Sequence, residues 1–149
     1  MIDEVDRAIL RALDADATLS SAALGVQLGL SQPAAWRRVR RLEEAGILLG
    51  RRLDLDREAL GFGVTVFLGV KLAQKGRTGL TEFERAIGAI PEVQTIEHVL
   101  GLYDYRLRVV ARDLADFERV LRRRILTLPG VGTVEANVLL SEDRLSGPL

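Results

Sequence analysis

The sequence predicts an α+β protein in two parts, an all-helical N-terminal part followed by one built on an antiparallel sheet. Two observations carry that prediction. Up to about residue 60 the apolar residues recur at spacings of three and four, in three segments separated by short breaks. From Val64 the period changes to two, and the segments then run strand, helix, strand, strand, helix, strand.

In the first segment, residues 3–14, Val5, Ala8, Ile9, Ala12 and Leu13 share one arc and Glu4, Arg7 and Arg11 lie opposite. Asp3 is suited to cap that helix. Asp14–Thr18 breaks it, and Ser20 or Ser21 caps a short second helix carrying Ala22, Leu24, Val26 and Leu28. Gly29 ends the second helix, and Leu30 leads directly into Ser31, the cap of a third, with Pro33 in its first turn and Gly46 as its stop.

On the third helix Ala35, Val39 and Leu42 form the buried stripe, while Gln32, Trp36, Arg37 and Arg40 fall on the flank and solvent side. Two helices joined by a tight, Gly-containing connection form a helix-turn-helix, whose second helix enters the DNA major groove. Ser31 to Arg52 holds six arginines against two glutamates in a chain whose net charge is zero, a local concentration that suits a polyanion. After Gly46, the segment Ile47–Leu55 ends in alternating apolar and charged residues, which predicts a strand and a winged-helix-like unit. Asp56–Gly61 reads as one helical turn. The domain boundary is therefore placed here, giving 1–60 and 61–149.

In the second part, Val64, Val66, Leu68, Val70 and Leu72 alternate as a strand, and Gln74–Gly79 reads as a polar loop. Thr81-x-x-Glu84 has the form of a capping box ahead of Phe83, Ile87 and Ile90, with Pro91 as terminator. Val93–Leu100 and Tyr105–Ala111 are two strands joined by the turn Gly101–Asp104. Asp113 caps a second helix with Phe117, Val120, Leu121, Ile125 and Leu128 inward, closed by Pro129–Gly130. Val134, Ala136, Val138 and Leu140 mark the last strand. This is the ferredoxin-like βαββαβ order, an antiparallel sheet with both helices on one face. The other face carries Phe67 and apolar neighbours, so dimerisation through the sheet is expected.

Composition narrows the function classes. No apolar run of 18 residues exists to span a membrane, and the acidic opening Met1–Asp6 lacks the pattern of a secretory signal. Without cysteine there are no disulfides or thiolate metal sites, and a cytoplasmic location is the expectation. No nucleophile elbow, phosphate loop or metal-ligand cluster is present, and Gly130-x-Gly132 enters a strand without the third glycine of a dinucleotide fingerprint. The single His98, in a strand, reads as structural or pocket-lining. Neither an enzyme nor a cofactor is expected.

Two sets of motifs resemble the Lrp/AsnC family of bacterial and archaeal transcription regulators. One is Ser31-Gln32-Pro33 with Arg38-Val39-Arg40-Arg41-Leu42-Glu43-x-x-Gly46-Ile47; the other is His98-Val99-Leu100-Gly101-Leu102-Tyr103-Asp104-Tyr105 with Leu128-Pro129-Gly130-Val131. The resemblance covers nearly the whole chain in order. It implies a regulator that binds double-stranded DNA, dimerises through the ferredoxin-like domain, assembles into octamers and senses an amino acid or related metabolite.

Carried onto matching positions, the resemblance places the effector near Gly101, Tyr103 and Asp104, and near Thr133 at the start of the last strand. Many family members carry an acidic residue where this chain has Leu102. Backbone N–H groups near Gly101 suit a carboxylate, and Asp104 suits an α-ammonium group; as a plain hairpin turn, Gly and Asp are equally at home here. For DNA, Ser31 sits at the start of the recognition helix, Gln32, Trp36 and Arg37 are expected near base edges, and Arg38, Arg40 and Arg41 on phosphates. Trp36 has the alternative of packing on the first helix, and Arg38 that of pairing with a carboxylate of its own domain. The rival readings are an enzyme like the sirohaem decarboxylases, of related fold but relying on histidines absent here, and a metabolite-sensing module without DNA binding.

Overall fold

A computed structural model describes residues 1–73, 76–143 and 147. The chain divides into two compact units, residues 1–54 and residues 55–142.

The first unit holds α1 (Glu4–Ala15), α2 (Ser21–Leu28) and α3 (Gln32–Glu44). Each starts on a side-chain cap: Asp3 accepts from the Asp6 N–H and Ser31 from Ala34, as the sequence names them, and of Ser20 and Ser21 it is Ser20 that accepts from Ala23. Ile9, Ala12, Leu13, Leu24, Ala35, Val39 and Leu42 form its core, the expected stripe of α3 included. The turn between α2 and α3 closes through Gly29 at φ +67° and a bond from the Leu30 N–H to the Gly25 carbonyl at 2.8 Å. Gly25 is required by space: a Cβ there would lie 2.6 Å from the Leu30 carbonyl oxygen.

The strand expected over Ile47–Leu55 does not form. A strand needs a ladder partner, and every strand among the described residues lies beyond residue 63 and pairs within the sheet of the other unit. Leu49 and Leu53 stand exposed on this irregular segment. The turn at Asp56–Gly61 is present, with Asp56 capping the Ala59 N–H at 3.0 Å and Gly61 at φ +88°.

The second unit contains β1 (Val64–Leu72), α4 (Arg77–Gly88), β2 (Val93–His98), β3 (Tyr105–Ala111), α5 (Leu114–Val120) and β4 (Val131–Val138). The sheet order is β2-β3-β1-β4, all antiparallel, as the βαββαβ reading requires. Val66, Leu68, Val70 and Leu72 of β1 meet Tyr105, Leu107 and Val109 of β3, Phe83 and Ile87 of α4, and Phe117, Val120 and Ile125 in one core. After α5 the chain makes one π turn, Leu121–Ile125, with the Leu126 N–H donating to the Leu121 carbonyl at 2.8 Å. That wider turn brings Ile125, five residues after Val120, back onto the core face.

Two expectations need correction. The polar loop over Gln74–Gly79 and the capping box at Thr81 give way to a helix that begins at Arg77, after an N-cap at Gly76; Gln74 and Lys75 lie outside the described residues. The extra turn has a reason in packing: Leu80 joins Phe83 and Ile87 at spacings of three and four and packs on the core. Glu84 then accepts a hydrogen bond from the buried Tyr105 hydroxyl at 2.7 Å instead of closing a cap, and burial, with Glu84 beside it, raises the Tyr105 pKa. Second, the sheet face opposite the helices is largely polar, carrying Thr65, Lys71, Arg106, Thr133, Glu135 and Asn137. Phe67 is half-buried there with the Arg108 guanidinium 5.5 Å from its ring centroid, and Arg108 is held by both oxygens of Glu142 at 2.9 and 3.0 Å.

Candidate functional site

Two groups of residues are candidates, one on α3 and one at the hairpin between β2 and β3. On α3 the helical period sends Trp36, Arg37 and Arg40 outward. Trp36 is 54% exposed and is not among the core residues of this unit. Arg37 is exposed and has no partner among the described residues, whereas Arg40 is drawn to Glu43 and Glu44 at 3.5 Å each. Ser31 caps the helix and leaves Gln32 exposed at its first turn.

Arg38 and Arg41, three residues apart on one side of α3, turn instead toward α1. Arg38 Nη1 donates to both oxygens of Asp3 at 2.9 and 2.7 Å and to Asp6 at 2.8 Å. Arg41 Nη2 donates to the other oxygen of Asp6 at 2.5 Å. Asp6 is fully buried and closes a reciprocal capping box with Asp3. The Arg38 hydrogen bond, with that from the Asp6 N–H, lowers the Asp3 pKa from 3.8 to about 2. Burial pushes Asp6 the other way, but the Asp3 N–H, Arg38 and Arg41 outweigh it and its pKa is also lowered. Leu30, Ala34, Arg37, Arg38 and Arg41 together line a concave surface of about 480 Å³.

At the hairpin, His98 pairs with Tyr105 and the loop Val99–Asp104 turns between them, closed by the Val99 N–H to the Asp104 carbonyl at 3.0 Å. Asp104 is bound into the sheet. Its N–H donates to the Val70 carbonyl, and its Oδ2 accepts from the Leu72 N–H at 2.9 Å, beside the irregularity where β1 shifts register against β4. The Tyr103 ring lies directly on Gly69, where a Cβ would come within 2.6 Å of it, and its hydroxyl donates to Glu135 on β4. Glu135 raises the Tyr103 pKa, and Tyr103 lowers that of Glu135. Thr133 lies opposite Lys71 on the same sheet face, two residues from Glu135. Gly101 and Leu102 are exposed at the loop tip, and no side chain would obstruct a Cβ at Gly101.

The structure thus brings Tyr103, Asp104 and Thr133 to one end of the sheet. Sequence reasoning missed Asp6, Gly25, Gly69 and Glu135. Gly25 and Gly69 gave a signal, since glycine inside a helix or strand marks a close approach of backbone or ring.

Residues 65–146 match the family model described as Lrp/AsnC ligand binding domain, and residues 2–43 match the AsnC-type helix-turn-helix domain. The chain belongs to the Lrp/AsnC family. Its relatives include the DNA-binding transcriptional activator DecR of Escherichia coli, 32% identical over 142 residues that cover 95% of this chain and 93% of that one. The Bkd operon transcriptional regulator of Pseudomonas aeruginosa is 38% identical over 135 residues, 91% of this chain and 88% of that one. Among solved structures, a transcriptional regulator of Neisseria meningitidis in complex with L-methionine superposes with a TM-score of 0.92 at 26% identity, covering 100% of this chain and 96% of the other. The two groups of residues described above fall one in each of the two Lrp/AsnC domains.

Proposed function

We propose that this Lrp/AsnC chain is a DNA-binding transcription regulator that responds to an amino acid or a closely related metabolite. The observation that carries the reading is the exposed Arg37, without a partner among the described residues, beside Trp36 on the second helix of the helix-turn-helix, in a chain whose halves match both domains of the family in order. Gln32, Trp36 and Arg37 contact base edges, Arg40 contacts phosphate, and Ser31 sets the start of the helix. Relatives named as transcriptional regulators support a non-enzymatic role and a cytoplasmic location. The effector pocket is built around Gly101, Leu102, Tyr103, Asp104 and Thr133. L-methionine in the meningococcal relative supports an amino acid as ligand, with Leu102 tuning which one.

Assembly is part of the proposal. The family resemblance supports a homodimer that builds into an octamer, and the exposed Leu49, Leu53, Leu100 and Leu102 offer apolar side chains for contacts between copies.

Selection from a random duplex pool tests the DNA half: a two-fold-symmetric sequence is expected to be enriched, as symmetric dimers demand. Thermal unfolding against the free amino acids tests the sensor, a ligand at a hundredfold excess over its Kd stabilising by about 2.7 kcal/mol. Light scattering reads the assembly. No enrichment over bulk sequence would overturn the DNA reading.

A further inference from the structure

The acidic side chain buried beneath the recognition helix has a consequence for DNA binding that charge alone would get backwards. Asp6 is fully buried, yet both its oxygens are spent on arginines of α3: Oδ1 on Arg38 and Oδ2 on Arg41. Arg41 remains 56% exposed, and its Nε and Nη1 have no partner among the described residues. The same guanidinium lines, with Arg37 and the turn residue Leu30, the concave surface at the start of α3. Arginine can serve two acceptors at once because its five N–H donors lie in one rigid plane; with Nη2 held by a carboxylate, the remaining donors are pre-oriented at little further entropy cost.

We propose that Asp6 is a positioning residue for DNA. It holds Arg41 through Nη2, with Arg38 as the brace, so that the remaining N–H donors of Arg41 face a single backbone phosphate seated in that concavity, beside Arg37. The inference rests on the DNA-binding reading above. It reassigns Arg38 from phosphate contact to support, and it makes an acidic residue a contributor to binding a polyanion.

The test is a double-mutant cycle on duplex affinity, using a mixed-sequence duplex across a salt series, with helical circular dichroism and melting followed in parallel. Removing a carboxylate that merely sits near DNA strengthens binding, since it removes repulsion. Asp6→Asn is instead expected to weaken binding about tenfold, the worth of one charge-assisted contact, and to flatten the log–log salt slope by about one unit. In an Arg41→Gln background the same substitution is expected to change nothing further. Binding by Asp6→Asn that equals or exceeds that of the parent overturns the inference, as does a loss of equal size in both backgrounds.

Where Asp6→Asn fails to fold, Arg41→Lys decides. Lysine keeps the charge but lacks the planar set of donors that serves Asp6 and a phosphate together, so weakened binding with unchanged melting supports the inference and unchanged affinity overturns it. If the parent binds no duplex even at low salt, the DNA reading itself falls. If the parent binds and only the Asp6 effect is missing, this inference falls alone.

Discussion

The Leu72 backbone N–H donates to Asp104 Oδ2 at 2.9 Å, so the carboxylate in the hairpin is an acceptor for the sheet before it is anything for a ligand. The two roles separate by isosteric replacement. Asp104→Asn keeps a side-chain oxygen for Leu72 and removes the charge that would meet an α-ammonium group. Asp104→Ala removes both and leaves a part-buried N–H without its acceptor, a loss of about 1–3 kcal/mol. The expected result is near-parental melting for the Asn variant with its amino-acid response abolished, and a lowered transition for the Ala variant. An Asn variant that keeps its response would show that Asp104 serves the turn alone.

Gly69 and Tyr103 make a second relationship of the same kind. With ring atoms 2.6–2.7 Å from where a Cβ would stand, Gly69→Ala displaces the ring and breaks its bond to Glu135. Overpacking of this kind destabilises by about 1–3 kcal/mol. With Tyr103→Ala already in place, Gly69→Ala is expected to have no such effect, and chemical denaturation of the four proteins measures the coupling. The phenol's ultraviolet titration should also move back toward that of free tyrosine in Gly69→Ala, because Glu135 no longer holds its proton.

What could be read in the sequence followed from periodicity and caps. The stripe Ala35, Val39 and Leu42, the caps Asp3, Ser31 and Asp113, and the βαββαβ order needed only local spacing, and the structure repeats them; of Ser20 and Ser21, it is Ser20 that caps. The failures came where a local signal competed with a distant partner. Alternation over Ile47–Leu55 promised a strand that finds no ladder among the described residues. Thr81 and Glu84 had the spacing of a box, but Leu80 had a core to reach and Glu84 a tyrosine to receive. Asp6 gave no signal, since its meaning depends on arginines 32 and 35 residues away. Likewise Tyr103 was legible as a turn residue, while its seat on Gly69 and its bond to Glu135 exist only once β1 and β4 are paired.

Acid should weaken the helix-turn-helix unit through Asp3 and Asp6. Both carboxylates have folded pKa values below their unfolded ones, Asp3 falling from 3.8 to about 2. Groups of this sign contribute stability that is complete above the unfolded value and lost as pH falls through the folded one. Helical circular dichroism at a fixed denaturant concentration should therefore decline between about pH 4 and pH 2. Asp3→Asn retains an oxygen for the Asp6 N–H while removing the ion pair with Arg38. It should be less stable than the parent at neutral pH, with the two curves converging toward pH 2. Parallel curves across that window would place the acid sensitivity elsewhere.

Arg37 and Arg40 stand side by side on the exposed face of α3 and differ in their surroundings, which makes them a pair worth separating. Arg37 has no intramolecular partner among the described residues, so Arg37→Ala removes a cation and disturbs nothing else. Arg40 neutralises Glu43 and Glu44 at 3.5 Å, so Arg40→Ala removes a cation and leaves two carboxylates facing the same solvent. Both variants should bind duplex more weakly, with assembly by light scattering and melting unchanged. As a base-edge contact, Arg37 should chiefly lose discrimination, about 1–3 kcal/mol between the selected sequence and a mixed one. Arg40→Ala should weaken both sequences alike and flatten the salt slope by about one unit. If Arg37→Ala instead weakens both equally, Arg37 contacts phosphate, and the reading of bases passes to Gln32 and Trp36.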